Sequence, residues 1–466
     1  MAVNPRIIAT QRLARISLLS ALALVLSYIE TMIPLPVALP GVKLGLANVA
    51  VVVALLGIDT RAAAAVAVVK VMASGFLFGS PMMLMYSLGG TALAFAGSAA
   101  ASRIPGLGAV ATCMVAAILH NAGQIAVAAL LLGTPSVLLS LPPLALAACA
   151  TGFVTGAVAA GVLASQPNSP YAAESIEIPR PRMKRRTPSN GNGNGNGFRP
   201  LAADVATFGA YRPGTTTAHK LDPRAKIVFA VLFIATAFVA PGAPALLILL
   251  AAAMAVQAAS GSSAHTALRS LKPFAWLMGF VLVFDTLFVN SGDVIWCAGP
   301  ATITAGGVSC AIENVLRFVC VLLGTSALMT TTSPTQLTDG FSLMLRPLDR
   351  FGVRTASAGL AMSMTLRFIP TLTKEFNKVC VAQMSRGADF ANGGVLQRGL
   401  ALVSALVPMF ASALRRSESL AYAVEARAFG AVGPSRTCLR SYRLRRADWA
   451  ALALAATLLV IELTLR

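Results

Sequence analysis

The sequence predicts an all-α polytopic membrane protein, and three observations carry that prediction. Only 12% of its 466 residues are charged while 56% are hydrophobic, with a mean hydropathy of +0.75; a soluble domain carries about a quarter charged residues. The apolar residues gather in runs of membrane-spanning length. The 37 lysines and arginines, set against 17 acids for a formal charge of +20, gather between those runs. This composition excludes an ordinary cytosolic enzyme. It also argues against a nucleic-acid partner, whose basic residues would sit on a soluble, charge-rich surface.

The first half holds apolar runs at 14–33, 44–58, 62–78, 82–101, 107–132 and 138–164. A span needs about 17–25 residues, so most qualify and the second is short. Residues 1–160 hold seven Lys/Arg, 161–230 ten, 231–345 three and 346–466 seventeen. By the positive-inside rule the second and fourth of these stretches are cytoplasmic, and the pI of 10.6 reflects topology and attraction to anionic lipid. Six spans with a cytoplasmic N-terminus put Asp59, Arg61 and Arg103 on cytoplasmic turns and leave Lys43 outside. Arg6, Arg12 and Arg15 before the first run resemble the start of a signal peptide. No small-x-small cleavage site precedes Glu30 and Pro34, so the run reads as a retained span.

Residues 165–200 change character, with prolines at 167, 170, 179, 181 and 188, a basic run Arg180 to Arg186, and alternating Asn and Gly over 190–197. Such a segment buries no core and reads as a disordered cytoplasmic linker. The expected division is a six-span module at 1–165, a linker at 166–204 and a second membrane body at 205–466. That second body has apolar runs near 225–240, 244–260, 273–290, 313–331 and 447–465, about five spans, which leaves the C-terminus outside. Between the last two lies an amphipathic stretch, 333–446. There Leu360, Met364, Arg367 and Phe368, and again Leu406, Phe410, Leu414 and Ser417, repeat at the helical period. Long helices along or projecting from the cytoplasmic face are expected.

Seven cysteines form no CxxC pair and have no histidine at metal-ligand spacing, so no metal site is expected. Cys113, Cys149 and Cys320 fall in apolar runs. Cys297 and Cys310 flank a glycine-containing polar stretch placed outside, where a disulfide between them is expected.

The second half carries ordered motifs. Thr217-Ala218-His219-Lys220-Leu221-Asp222-Pro223-Arg224-Ala225-Lys226 is followed by Thr330-Thr331-Thr332-Ser333-Pro334, Pro347-Leu348 and Leu366-Arg367-Phe368-Ile369-Pro370. Then come Ala382-Gln383-Met384-Ser385-Arg386-Gly387 and Glu425-Ala426-Arg427-Ala428-Phe429-Gly430. Over about 205–466 this resembles the energy-coupling factor transporter T component, the CbiQ-like membrane scaffold. The resemblance implies coupling helices at about 355–430 whose ends, Ser385, Arg386 and Gly387, and Ala426, Arg427 and Ala428, dock into two ABC-type ATPase subunits. A guanidinium at a helix C-terminus suits that role. Ala428 stands where the family usually has glycine; alanine favours helix by about 0.8–1 kcal/mol, so a displaced helix end is expected.

Over about 10–165, the residues Ile29-Glu30-Thr31-Met32-Ile33-Pro34-Leu35-Pro36, Pro40-Gly41-Val42-Lys43-Leu44-Gly45-Leu46-Ala47-Asn48, Phe78-Gly79, Tyr86-Ser87-Leu88-Gly89-Gly90 and His120-Asn121-Ala122-Gly123-Gln124 are similar to the Gx transporter family. That family is often labelled heptaprenyl diphosphate synthase component I, and it resembles the substrate-binding S components of the same transporters. A prenyl synthase needs clustered aspartates to hold Mg²⁺ against diphosphate. The only acids before residue 200 are Glu30, Asp59, Glu174 and Glu177, so the synthase chemistry is rejected. No GxxxxGK(S/T) phosphate loop occurs, so ATP-Mg belongs on partner ATPases and the chain itself needs no cofactor.

Polar groups inside spans mark function by default. Glu30, Lys43, Asn48, Lys70, His120, Asn121 and Gln124 are the candidates to line an outward-facing pocket for a small molecule, anions included, with His120 and Gln124 sharing one helical face. The competing structural roles are a Lys70 to Glu30 pair and an interhelical hydrogen bond for His120. Asp285 and Arg317, on consecutive spans, read as a structural pair, and Gly152 with Gly156 as a close-packing GxxxG. The leading reading is a plasma-membrane subunit of an energy-coupling factor importer that fuses substrate capture to ATPase coupling, its scaffold open to other S components as well. An ion-driven secondary transporter and a membrane scaffold for isoprenoid or quinone enzymes are the alternatives.

Overall fold

Six apolar runs become six helices whose ends lie within a few residues of the runs, up to nine residues at the start of the first: α1 (Pro5–Met32), α2 (Leu46–Gly57), α3 (Thr60–Leu77), α4 (Pro81–Ala101), α5 (Ala109–Leu132) and α6 (Leu141–Ala164). The computed structural model describes residues 5–32, 45–77, 81–132, 138, 141–166, 211–289, 291–298, 301–351, 355–388, 390, 395–429 and 442–464. Lys43 and nearly all of the linker at 166–204 lie outside the described residues. Seven described helices are long and apolar enough to cross a membrane, and the protein is an all-α polytopic membrane protein. In the first half these are α1, α4, α5 and α6; α2, at 12 residues, rises only about 18 Å, and α3 carries Arg61 and Lys70.

Small residues set the spacing of these helices. A Cβ on Gly123 of α5 would fall 2.5 Å from the carbonyl oxygen of Gly89, and one on Gly90 would fall 2.7 Å from that of His120. Gly152 and Gly156 of α6 meet Met114 and Val110 of α5 in the same way, so the GxxxG packs inside the first half. At the α2–α3 turn Asp59 accepts from the Ala62 amide at 2.6 Å and from Arg12 at 2.8 Å. The ion pair is half exposed and adds at most about 1 kcal/mol.

The second half runs α7 (Thr217–Lys220), α8 (Pro223–Val239), α9 (Gly242–Ala259), α10 (Ala264–Leu271), α11 (Ala275–Phe288), a hairpin of β1 (Val294–Ala298) and β2 (Ala301–Thr304), α12 (Ala305–Thr331), α13 (Pro334–Leu345), α14 (Thr355–Ser385), α15 (Val395–Ala426) and α16 (Arg446–Thr464). Of these, α9, α12 and α16 have spanning length and apolarity, whereas α8 and α11 are shorter. The hairpin, unanticipated from sequence, carries the exposed Cys297 opposite Thr302. Cys310 lies in the second turn of α12, 3.6 Å from the amide nitrogen of Asn314. Both thiols are free, which overturns the expected disulfide: Cys297 lies on the hairpin, and Cys310 accepts from Asn314 one turn further along its own helix. Asp285 and Arg317 are joined through Asn314, which donates to Asp285 at 2.9 Å and accepts from Arg317 at 2.8 Å. The rest of the Arg317 fork satisfies the Ala237 and Ala240 carbonyls at the end of α8.

The Asp222 motif is a structural knot. Asp222 caps α8 through the Arg224 amide, its own amide donates to Asp448 at the start of α16, and Lys226 donates to the Thr331 carbonyl at 3.0 Å at the end of α12. The start of α8 is thereby tied both to the start of α16 and to the end of α12.

α14 and α15, 31 and 32 residues long, are the two amphipathic helices. On α15 the buried stripe includes Leu406, Phe410 and Ser417 as the period implied, with Leu414 half-buried. On α14 the stripe is rotated: Ala361, Thr365, Ile369, Leu372 and Phe376 are buried, while Arg367 is exposed and Leu360 and Met364 are half-buried. The arginine belongs at the polar edge, so a stripe drawn through it missed the core-facing row. Both helices pack against α1, α15 packs on α6, and one continuous hydrophobic core contains residues of α1–α6, α14 and α15.

Candidate functional site

Two constellations stand out. The first lies at the ends of α14 and α15. α14 stops at Ser385; Arg386 follows, and Gly387 turns into the left-handed region at φ 90°. The Gly387 amide donates to the Met384 carbonyl at 2.9 Å and the Ala388 amide to the Gln383 carbonyl at 3.0 Å. α15 repeats this: after Ala426 and Arg427, Ala428 sits at φ 54°, its amide donating to Glu425 at 2.7 Å and that of Phe429 to Val424 at 3.3 Å. These paired bonds, spanning three and five residues, make both ends Schellman caps with an arginine in the last half-helical position.

Ser385, Arg386 and Gly387 are exposed, as are Ala426, Arg427 and Ala428. The displaced end expected from alanine is therefore not what the chain adopts. α15 ends in register with α14, and Ala428 takes a conformation that disfavours any side chain by about 1–2 kcal/mol. Among the described residues it is the one non-glycine residue with positive φ. Each exposed arginine stands at the negative end of a helix dipole, and a guanidinium carries five donors suited to carboxylates and carbonyls.

The two arms are pinned to each other. Glu375 on α14 pairs with Arg416 on α15 at 3.2 Å and accepts from the Ser412 hydroxyl. At its far end α14 is capped by Asp349, which accepts from the Thr355 amide at 2.9 Å and its hydroxyl at 2.7 Å. Those two donors, the amide first, hold the Asp349 carboxyl below its ordinary value. Neither the pin nor this cap was foreseen: the residues involved are polar positions without a motif, and their partners come from other segments.

The second constellation is in the first half. Glu30 accepts from the Gly45 amide at 2.6 Å; Gly45, at φ 71°, caps α2, and its carbonyl takes the Asn48 amide at 2.8 Å. Asn48 in turn accepts from the Lys70 ammonium at 2.5 Å. Glu30, Asn48 and Lys70, at 7%, 8% and 5% exposure, thus form one buried polar chain across α1, α2 and α3. Lys70 lies about 15 Å along α3 from the Asp59 turn, in the half of the bundle away from it.

His120 and Gln124 form a separate pair on successive turns of α5, with Gln124 Nε2 3.2 Å from His120 Nε2, against Gly90 of α4. Asn121 instead donates to the Leu144 carbonyl at 3.3 Å and links α5 to α6. The sequence candidates therefore fall into a cationic chain, an imidazole–amide pair and a helix–helix tie. The left-handed Gly45 that seats Glu30 was legible only as part of the motif around it.

Residues 19–162 match the family described as heptaprenyl diphosphate synthase component I, and residues 214–438 match the cobalt transport protein family CbiQ. Among curated proteins the chain is 41% identical over 250 residues to the energy-coupling factor transporter transmembrane protein EcfT of Thermosediminibacter oceani, covering 53% of this chain and 92% of that one. It is 37% identical over 237 residues to the EcfT of Bacillus subtilis, covering 51% and 89%. To that of Limosilactobacillus fermentum it is 35% identical over 254 residues, covering 54% and 95%.

Proposed function

The chain belongs, through its second half, to the EcfT family of energy-coupling factor transporter transmembrane proteins and is a membrane subunit of such a transporter, from which we propose that it unites the coupling scaffold, 205–466, with a substrate-binding module, 1–165, joined by the linker 166–204. Arg386 and Arg427 dock two ABC-type ATPase subunits, which hold ATP-Mg. Closure of those subunits displaces α14 and α15, and the first half, packed on them, tilts with its pocket. The candidates to bind a small molecule are Glu30, Asn48 and Lys70 of the polar chain and His120, Asn121 and Gln124 of α5, with Lys43 a further candidate outside the described residues. The observation that carries this reading is the pair of identically capped, exposed arginine ends.

The orientation follows the charge distribution, with the N-terminus, the linker and both arm ends cytoplasmic. The synthase name attached to the first half does not describe its chemistry: Glu30 is occupied by a backbone amide and Asp59 by Arg12 and a helix cap, at opposite ends of α1 and α2. Replacing both Arg386 and Arg427 by Glu tests the reading. The full chain is expected to reach the membrane at wild-type level but to lose co-purifying ATPase subunits, and retention of those subunits would refute the docking role.

A further inference from the structure

Between Lys272 and Arg317 the sequence holds no lysine, arginine or histidine. The stretch contains α11, the hairpin and the first three turns of α12. α11, at 14 residues, rises about 21 Å, about 9 Å less than the hydrocarbon core of a bilayer. The chain beyond its end is nevertheless apolar, with β1 reading Val-Ile-Trp-Cys-Ala. A hairpin resting on a protein surface in water alternates apolar residues inward with polar residues outward. This one leaves Val294, Ile295 and Trp296 60%, 64% and 57% exposed in succession. Two strands this short are marginal in water by themselves.

The apolar patch continues onto α11, whose end packs on β2. Trp276, Phe280, Phe284 and Phe288 follow at four-residue spacing along one face of the helix. Ring centroids are 5.6 Å apart at Phe280–Phe284 and 4.5 Å apart at Phe284–Phe288. Trp276 and Phe288, the two ends of this ladder, are exposed, as are Leu282, Val283 and Leu287. A Cβ on Gly279 would meet nothing within 4 Å. In a polytopic membrane protein such a surface faces lipid. Trp276 and Trp296 stand at its opposite ends, and tryptophan collects at the two faces of a bilayer.

The backbone sets the depth. The sheet has two strands among the described residues, so each strand has an outer edge whose N–H and C=O groups pair with no other strand. Hydrocarbon would leave those groups unsatisfied, whereas water and headgroup oxygens satisfy them in the interfacial layer. Charge sets the lipid chemistry. Asp293 is the one charged residue between Asp285 and Glu313, so nothing in the hairpin attracts an anionic headgroup.

We propose that the hairpin is a lipid anchor. It docks on the outer leaflet where acyl chains meet headgroups, inserts Val294, Ile295 and Trp296, and completes the span that α11 leaves short. Its partner is the bilayer surface itself, irrespective of headgroup charge. Cys297, next along the strand and on the face opposite Trp296, stays in water. The choice of leaflet rests on the orientation given above; insertion does not.

Trp296 is its own probe, because the chain holds three tryptophans. The full chain carrying Trp276→Phe and Trp449→Phe is placed in phosphatidylcholine nanodiscs whose acyl chains are brominated near the headgroup or near the methyl end, and iodide is added to the water in a parallel sample. Trp296 is expected to lose about half of its emission to the shallow bromines, less to the deep ones and little to iodide, with or without anionic lipid. Strong quenching by iodide would place the hairpin in water. Protection from all three quenchers would place it against protein, a second copy included. Either result overturns the proposal, and a requirement for anionic lipid overturns the stated lipid chemistry. Should the double variant not fold, the difference between the wild-type chain and Trp296→Phe isolates the same signal. Impermeant maleimide on Cys297 in intact cells, with Cys297→Ser as control, reads the leaflet separately. Labelling only after lysis, with bromine quenching retained, would sink the orientation and leave insertion standing.

Discussion

Thr365 of α14 shares its hydroxyl proton between the Ala361 carbonyl of its own helix, at 2.7 Å, and the Ser17 carbonyl of α1, at 3.1 Å and 348 positions away. The shorter branch is ordinary back-bonding within a helix. The longer one joins an arm to the first half, buried where no water can replace it. Thr365→Val keeps the shape and removes both branches. The expected loss is about 0.5–1 kcal/mol in thermal unfolding of the purified chain, in line with interhelical hydrogen bonds in membrane proteins, with ATPase recruitment unchanged.

The two caps should respond oppositely to one methyl group. Ala428→Gly relieves the left-handed strain and is expected to stabilise the end of α15 by about 1 kcal/mol, whereas Gly387→Ala should destabilise the end of α14 by a similar amount. Hydrogen exchange of the last helical turns reads both. Equal and same-signed effects would mean the caps are not as described.

Lys70 is hydrogen-bonded to Asn48, so Lys70→Met strands a buried amide oxygen. We expect a cost of about 1–3 kcal/mol in stability together with loss of ligand binding. Adding Asn48→Leu should recover most of the stability but none of the binding. Recovery of both would assign Lys70 a purely structural role.

Thiol accessibility distinguishes Cys297 from Cys380. Cys297 is exposed and should react with maleimide in intact cells without reductant. Cys380 is fully buried between the arms and the first half, and burial pushes its thiol up to about 12, so it should label only after unfolding. Labelling of Cys380 in the native chain would show that α14 separates from the core.

Asp349 predicts an acid-sensitive joint. Its carboxyl is held below the ordinary value in the folded chain, so the cap on α14 is fully present above the unfolded value of about 3.9 and is lost as pH falls through the lower folded value. Exchange at Thr355 should accelerate below about pH 4, and Asp349→Ala should produce the same acceleration at neutral pH.

Span positions were legible because apolar runs of spanning length have few other uses, and nine of the eleven runs became helices within a few residues of their limits; α1 begins nine residues before its run, at Pro5, and α12 eight before, at Ala305. Arg386 and Arg427 were legible as members of two motifs. Their shared cap was not, because a Schellman turn depends on φ at Gly387 and Ala428 and not on the arginines. The stripe on α14 was misplaced by one position, since Leu360 and Met364 have the same spacing as the buried row beside them. The Cys297–Cys310 disulfide failed for want of the hairpin, whose strands of five and four residues are too short to announce themselves among spans. The polar chain from Glu30 to Lys70 was read as a list of residues; its connectivity runs through a backbone amide, to which composition and spacing are blind.

The exposed ends of α14 and α15 look alike and are not equivalent. One terminates on a residue with no side chain, at rest in its turn, and the other on alanine held in the same turn against its preference. Unwinding the turn after Arg427 would release the strain at Ala428, whereas unwinding the one after Arg386 releases none. The difference makes the scaffold asymmetric in itself: its two exposed arginine ends, alike in sequence and in hydrogen bonding, are unequal in strain.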